Sequence, residues 1–378
     1  MMTQYDIPLA APDISEEDIQ AVTDVLKTSR LSLGPKLSEF EKDFAAYTGS
    51  KHAVAVSSGT AALHIALLAL NIEEGDEVIT SPFSFIASAN CILFNRATPV
   101  FADILEETFC VDPTKVEAAI TEKTKAIIAV DILGNLCDWE ALKVIADKHN
   151  LALIEDSCEA IGSKRNGKSA GTFGDCGTFA FYPNKQMTTG EGGMLITDRD
   201  DIAAMARSLR NQGRDDSGNF LSHERLGYNY RISDINCALG ISQLKRLDSF
   251  LAKRSQVAEW YEEALAPLSK HIRPAKTEHG VETSWFVYVA HLTDCYSSAD
   301  RNTLLEALRK RGIGCNNYFP SIHLQPLYTR EFGFKIGDFP ISEGVSERSI
   351  ALPFFNNISK EEVATVAEVL NDEFRNLL

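Results

Sequence analysis

Three stretches of this chain hold residues whose types and spacing could do covalent chemistry on a carbonyl. The first is GTFGDCGTFAFYPNKQMTTGEGGM, residues 171–194. A β-type run at 177–182 is broken by Pro183 and delivers a single lysine, Lys185, into a turn. Thr188, Thr189 and the return Gly190-Glu191-Gly192-Gly193 follow, and then a second apolar run at 194–197. Glycine there lets the backbone take positive φ and lets a ligand approach the main chain closely. Such a turn can hold one amine rigidly at the floor of a cleft. An amine attacks a carbonyl only when neutral, a state that desolvation favours. The plainer reading is a hairpin with a solvated lysine, because a lone glycine-rich motif is weak evidence.

The second stretch is Val56-Ser57-Ser58-Gly59-Thr60-Ala61-Ala62-Leu63, where a strand ends in small hydroxyl residues and a helix begins at once. The free N–H groups and positive dipole end of such a helix suit a phosphate, although Ser and Thr also cap ordinary helices. The third is LIEDSCEA, residues 153–160, in which three apolar residues end in Glu155 and Asp156. Ligands in open α/β sheets bind outside the carboxyl ends of strands, which is where Asp156 falls. A carboxylate facing a pyridine nitrogen keeps it protonated and makes the ring an electron sink; a helix cap or a solvated pair is the alternative. Phosphate loop, acidic strand end and lysine turn, in that order, are more specific together than any one alone. They point to Lys185 in a Schiff base with pyridoxal phosphate. The amine, once freed, would then move protons as a general base.

Short Val- and Ile-rich runs alternate with helical patterns to position these groups. Strands are expected at 53–56, 77–80, 98–103, 126–132 and 152–156, with helices at 60–70, 83–94, 113–120 and 139–149. That alternation predicts an α/β domain with a mostly parallel sheet buried on both faces. Before it, residues 15–27 read as a helix capped by Ser15 with Asp18 near its third position, and 36–48 as a second helix ended by Gly49. From about 249 the rhythm changes to a helix at 251–265, a strand at 285–292 and helices at 299–311 and 360–377. We read residues 1–246 as the large domain and 247–378 as a smaller C-terminal α+β domain.

The chain has 378 residues, beyond the size at which a single core stops growing. Its 37 Lys+Arg against 53 Asp+Glu give a net charge of −16, which argues against a nucleic-acid binder. The eight cysteines form no C-x-x-C pair and suit neither a zinc site nor a disulfide framework, as expected for a reducing cytoplasm. No stretch reads as membrane-spanning, and residues 1–15 lack the basic start and apolar core of a signal peptide, so a cytoplasmic protein is expected.

SSGTAALHIAL, TSPFSFIASANCILF, IEDSCEAIG, GTFAFYPNKQMTTGEGG, GYNYRISDINCALG and YFPSIHLQPLY extend across nearly the whole chain. Together they resemble the fold-type-I pyridoxal-phosphate enzymes, and among them the DegT/DnrJ/EryC1/StrS family of sugar-nucleotide aminotransferases. The resemblance implies that Thr60 and Ala61, with Ser57 and Gly59, bind the cofactor phosphate, and that Phe85 stacks on the pyridine ring. It implies Asp156 at the pyridine nitrogen, Lys185 as the Schiff-base lysine, and Asn229 reaching the phosphate of a neighbouring subunit in a homodimer with shared sites. Two departures stand out: Ala180 occupies a position where relatives often carry a phosphate-binding Ser, and Glu159 one where many carry Gln near the phenolic oxygen. Related dehydratases replace the lysine with His, so Lys185 favours transamination over the lyase or dehydratase alternative; a non-catalytic regulatory relative is the remaining one. The implied reaction moves the amino group of L-glutamate to a keto sugar linked to a nucleoside diphosphate. Arg214, Arg231 and His323 are candidates for binding that anionic substrate.

Overall fold

In the computed structural model, which describes residues 4–214, 222–277 and 279–377, two helices come first. They are α1 (Glu16–Leu26) and α2 (Pro35–Thr48). Ser15 caps α1 in a reciprocal box with Asp18, and Gly49 ends α2 in the left-handed conformation, as expected. The chain then alternates β1 (His52–Val56), α3 (Gly59–Ala69), β2 (Glu77–Thr80), α4 (Ala87–Phe94) and β3 (Thr98–Phe101). It continues through α5 (Pro113–Ala118), β4 (Thr124–Val130), α6 (Trp139–His149) and β5 (Ala152–Asp156). A small hairpin, β6 (Lys164–Arg165) and β7 (Lys168–Ser169), precedes β8 (Cys176–Ala180), β9 (Gly193–Thr197) and α7 (Asp200–Arg210).

Seven of these strands form one sheet in the order β1-β9-β8-β5-β4-β2-β3. β9 runs antiparallel to both neighbours, and the other pairings are parallel. Side chains alternate across it with period two. Val54, Val56 and Leu195 join the core under α3 and α7, whereas Ala53, Ala55, Met194 and Ile196 join the core under α2. Both faces are therefore dry, which is why the strands read as continuous apolar runs.

The expected helix at 83–94 starts only at Ala87, so Ser84 and Phe85 lie in the loop before it. The expected strand from 285 starts at Tyr288, because Trp285 takes a positive φ of 50° that ends extension. The helix expected at 251–265 is the last part of α8 (Asp234–Leu265), a continuous 32-residue helix. Residue 246 therefore falls inside a helix, and no linker divides the chain there.

Beyond α8 lie β10 (Ile272–Pro274), β11 (Val281–Glu282), β12 (Tyr288–Leu292), α9 (Ser298–Lys310), α10 (Pro326–Phe332), α11 (Pro340–Arg348), β13 (Ser349–Leu352) and α12 (Lys360–Leu377). β10, β12 and β13 make an antiparallel sheet over a core shared with α8, α9 and α12. Ile7 belongs to that same core and bridges to Ile313, so the first described residues pack on the C-terminal unit rather than on the large sheet. In the other direction, Asp103 after β3 accepts from the amides of Ile341 and Ser342 at the start of α11. The two units interlock. Among the described residues no helix is long and apolar enough to cross a membrane.

Candidate active site

A cavity of about 480 Å³ opens at the carboxyl ends of the parallel strands, a size and position typical of small-molecule sites in α/β sheets. One wall is the start of α3, where Ser58 caps the helix by accepting from the Ala61 amide at 3.1 Å. Ser58, Gly59 and Thr60 line the cavity. A Cβ on Gly59 would meet Ala180 Cβ and Cys158 Sγ at 2.8 Å, and one on Gly193 would meet the Ser58 carbonyl at 2.4 Å. The β1–α3 turn thus sits against the start of β9 at a distance only glycine permits. Ser57 and Ala61 do not line the cavity: the Ser57 amide donates to the Tyr230 carbonyl, and the Ala61 amide is used by Ser58.

Asp156 lies on the floor, buried at the end of β5. Its Oδ2 accepts from Ser88 Oγ at 2.6 Å and its Oδ1 from the Cys158 amide at 3.3 Å. Alternation along β5 turns its neighbour Glu155 the other way, where it accepts from the amides of Gly171 (2.7 Å), Phe173 and Gly174 (2.6 Å). One acid of the pair faces the cavity and the other holds a loop.

Lys185 projects into the cavity from the turn after β8. Its Nζ lies 3.4 Å from Glu159 Oε1 and 3.7 Å from the centroid of the Phe286 ring. Burial raises the Glu159 pKa, opposed by the Lys185 charge and by the Leu133 amide, which donates to Oε2 at 2.9 Å. Gln186 pins the turn through Glu159 O at 2.7 Å and Ser284 Oγ at 2.8 Å. From below, the buried Arg254 donates to the carbonyls of Trp285 and Phe286, both at 3.0 Å, and to that of Lys185 at 3.4 Å. Burial pushes the Arg254 guanidinium down to about 10.

Phe85 lines the cavity with 59% of its surface exposed. Asn229, Arg231 and Arg214 lie apart from the lining: Asn229 bridges to Asn211, Arg231 Nη1 donates to Asn211 Oδ1 at 3.1 Å, and Arg214 Nη2 to Gln212 Oε1 at 3.4 Å. His323 does not reach the cavity. It is fully buried, pairs with Glu343 at 3.0 Å and packs against Phe101, Phe334 and Phe339, a structural position that leaves no path to an anionic substrate. Sequence reasoning missed Ser84, Ser88, Tyr182, Asn184, Phe286 and Tyr318, all cavity-lining. Tyr182 and Asn184 flank the lysine and could have been found from that. Phe286 and Tyr318 come from the C-terminal unit and carry no local signal.

Behind the floor, Asp131 is fully buried and accepts from Ser157 Oγ (2.7 Å), Trp139 Nε1 (3.0 Å) and the Cys137 amide (3.2 Å). Burial still raises its carboxyl, to about 7. The folded chain then keeps this proton to higher pH than the unfolded chain. Its contribution to stability is complete below the unfolded carboxylate value of about 4 and is lost as pH rises through about 7. Asp131→Asn, which cannot ionise, is expected to gain thermal stability relative to the parent across that interval. Melting curves whose separation does not change with pH would contradict this.

Comparison with known proteins extends these observations. The chain matches the DegT/DnrJ/EryC1/StrS aminotransferase family over residues 12–371. It is 38% identical over 376 residues to the spore coat polysaccharide biosynthesis protein SpsC of Bacillus subtilis (strain 168), covering 97% of this chain and 96% of that one. GDP-perosamine synthase of Caulobacter vibrioides is 38% identical over 367 residues, 97% of each chain. Among solved structures, the PLP form of Spr1654 from Streptococcus pneumoniae superposes with a TM-score of 0.94 at 30% identity, over 99% of this chain and 100% of that one. Its PMP form gives the same values.

Proposed function

This chain belongs to the DegT/DnrJ/EryC1/StrS aminotransferase family, and we propose that it moves the amino group of L-glutamate to the keto carbon of a sugar linked to a nucleoside diphosphate. Its architecture is the fold-type-I α/β arrangement, a mostly parallel sheet between helices. The observation that carries the reading is the Lys185 amine inside the cavity, 3.4 Å from the buried Glu159, with Asp156 beneath it. The similarity to a GDP-perosamine synthase supports a nucleotide-linked substrate.

The cavity fits pyridoxal phosphate. Ser58, Gly59 and Thr60 bring the α3 N-terminus to the cavity wall, and Phe85 supplies an aromatic face. Bound there, the group supplies an aldehyde for the amine and a ring that absorbs electrons. Thr60 and the α3 N-terminus would hold the phosphate, since helix amides and dipole favour an anion. Asp156 would hold the proton of the ring nitrogen, and Lys185 Nζ would anchor the group and carry protons during the exchange. Glu159, already beside Nζ, can take up or return a proton there. Phe286, Tyr318 and Phe319 exclude water from the lysine side. In a homodimer Asn229 would complete the phosphate site of a second copy, and Arg214 and Arg231 would offer it their positive charge.

The test is a near-visible spectrum of the protein with pyridoxal phosphate, before and after L-glutamate. A band that forms and then gives way to the pyridoxamine form, with one 2-oxoglutarate released per site, is the expected result. A band that ignores glutamate would refute the donor, and no band would refute the cofactor. Turnover over a panel of keto-sugar nucleotides then identifies the acceptor.

A further inference from the structure

We propose that Ser88, backed by Ser84, is a positioning residue for Asp156, fixing that carboxylate and drawing off part of its charge so that a bound pyridine ring keeps its proton. The inference rests on the functional reading above and assigns a role to two residues that the reading does not use. Ser88 is almost completely buried on the first turn of α4 and lines the cavity. Among the described residues it is the one side chain that hydrogen-bonds Asp156 through oxygen, at 2.6 Å, a length typical of a hydroxyl on an ionised acceptor. Ser84 Oγ lies 2.9 Å from Ser88 Oγ. A serine hydroxyl has one hydrogen to give. With that of Ser88 committed to Asp156, Ser84 is the donor between the two, and the chain Ser84→Ser88→Asp156 strengthens each of its bonds.

The setting makes this donor matter. No arginine or lysine side chain hydrogen-bonds Asp156 among the described residues, and its two oxygens are held by the Ser88 hydroxyl and the Cys158 amide. A carboxylate that shares its charge with a short O–H donor pulls less on a proton held by an opposing nitrogen. The bond also stops rotation about a terminal torsion that is otherwise broad, so the carboxylate keeps one orientation at the cavity floor. Without Ser88, the ring proton should shift toward Asp156 and the ring should accept electrons less well.

The experiment uses the full chain loaded with pyridoxal phosphate labelled with 15N in the ring. The ring-nitrogen chemical shift is followed by NMR over pH, alongside kcat and KM. Ser88→Ala is expected to move the shift toward the unprotonated value and to lower kcat about tenfold with little change in KM, the loss of one hydrogen bond to a charged group. Ser84→Ala should move both in the same direction by less. In an Asp156→Asn background, Ser88→Ala should cost no further kcat, because it acts through that carboxylate. A parent chain with a protonated ring nitrogen and an unchanged shift in Ser88→Ala overturns this assignment alone, as does an undiminished Ser88→Ala effect beside Asn at 156. A parent chain that binds no pyridoxal phosphate overturns the functional reading and the assignment with it.

Discussion

Lys185→Ala is expected to lower turnover at least about 10³-fold, since proton transfer by a positioned side chain alone contributes about 10²–10⁴-fold. On the proposed reading the amine would also anchor the cofactor covalently, and alanine would remove that as well. Folding should survive. Nζ makes one ion pair of 3.4 Å and one ring contact, while the backbone of the turn is held independently by Arg254, Gln186 and the Tyr182 carbonyl. The exposed consequence is at Glu159, which loses the charge that opposes burial and should take up a proton more readily. Lys185→Arg tests charge against chemistry. It keeps a cation beside Glu159 and Phe286 but cannot give up its proton at working pH, so it should be as inactive as alanine. Added methylamine should restore a measurable fraction of turnover to Lys185→Ala and none to Lys185→Arg, whose side chain fills the space. Single-turnover kinetics with absorbance detection read all three. Turnover in Lys185→Ala within about tenfold of the parent would remove the lysine from the mechanism.

Asp156→Ala should cost about 10²–10³-fold in kcat, the range found when one preorganised electrostatic contact at a reacting centre is lost. It should also weaken retention of pyridoxal phosphate, measured by dialysis and absorbance. Stability should change little, because the Ser88 hydroxyl can turn to the Phe85 carbonyl, 3.3 Å away. The neighbouring acid supplies the control. Glu155 receives three backbone amides in a fully buried site, so Glu155→Gln would turn an amide donor toward at least one of them. That change should cost about 1–3 kcal/mol of stability, the penalty of a buried group left unpaired, with little loss of kcat in the fraction that folds. If Glu155→Gln were the catalytically silent-but-unstable variant and Asp156→Ala the stable-but-slow one, their division of labour would stand. The reverse pattern would exchange their roles.

Much of the large sheet could be read from the sequence, because β1 to β5 are short runs carrying Val or Ile between polar or turn residues, and burial on both faces keeps such runs apolar; β8, Cys176–Ala180, carries neither residue. The same punctuation marked three residues that line the cavity. Thr60 follows a glycine at a strand end, Asp156 ends an apolar run, and Lys185 follows Pro183. The C-terminal half was harder. α8 is not broken at 246, since ISQLKRLDSFLAKR holds no helix breaker; a change of periodic pattern marked a change of neighbours, with the backbone continuing unbroken.

Local sequence therefore determines which segments become strands and helices and which side chains stand at strand ends, because those outcomes depend on neighbours a few residues away. Which of two adjacent acids faces the cavity was settled by sheet order and register, since alternation turns Glu155 and Asp156 to opposite sides without saying which side is open. The same long-range packing brought Phe286 and Tyr318 to Lys185 and buried His323 against Phe101 and Glu343. Such contacts join segments far apart in the chain, where the free energy comes from filling a shared core, and no local pattern records which distant partner will fill it.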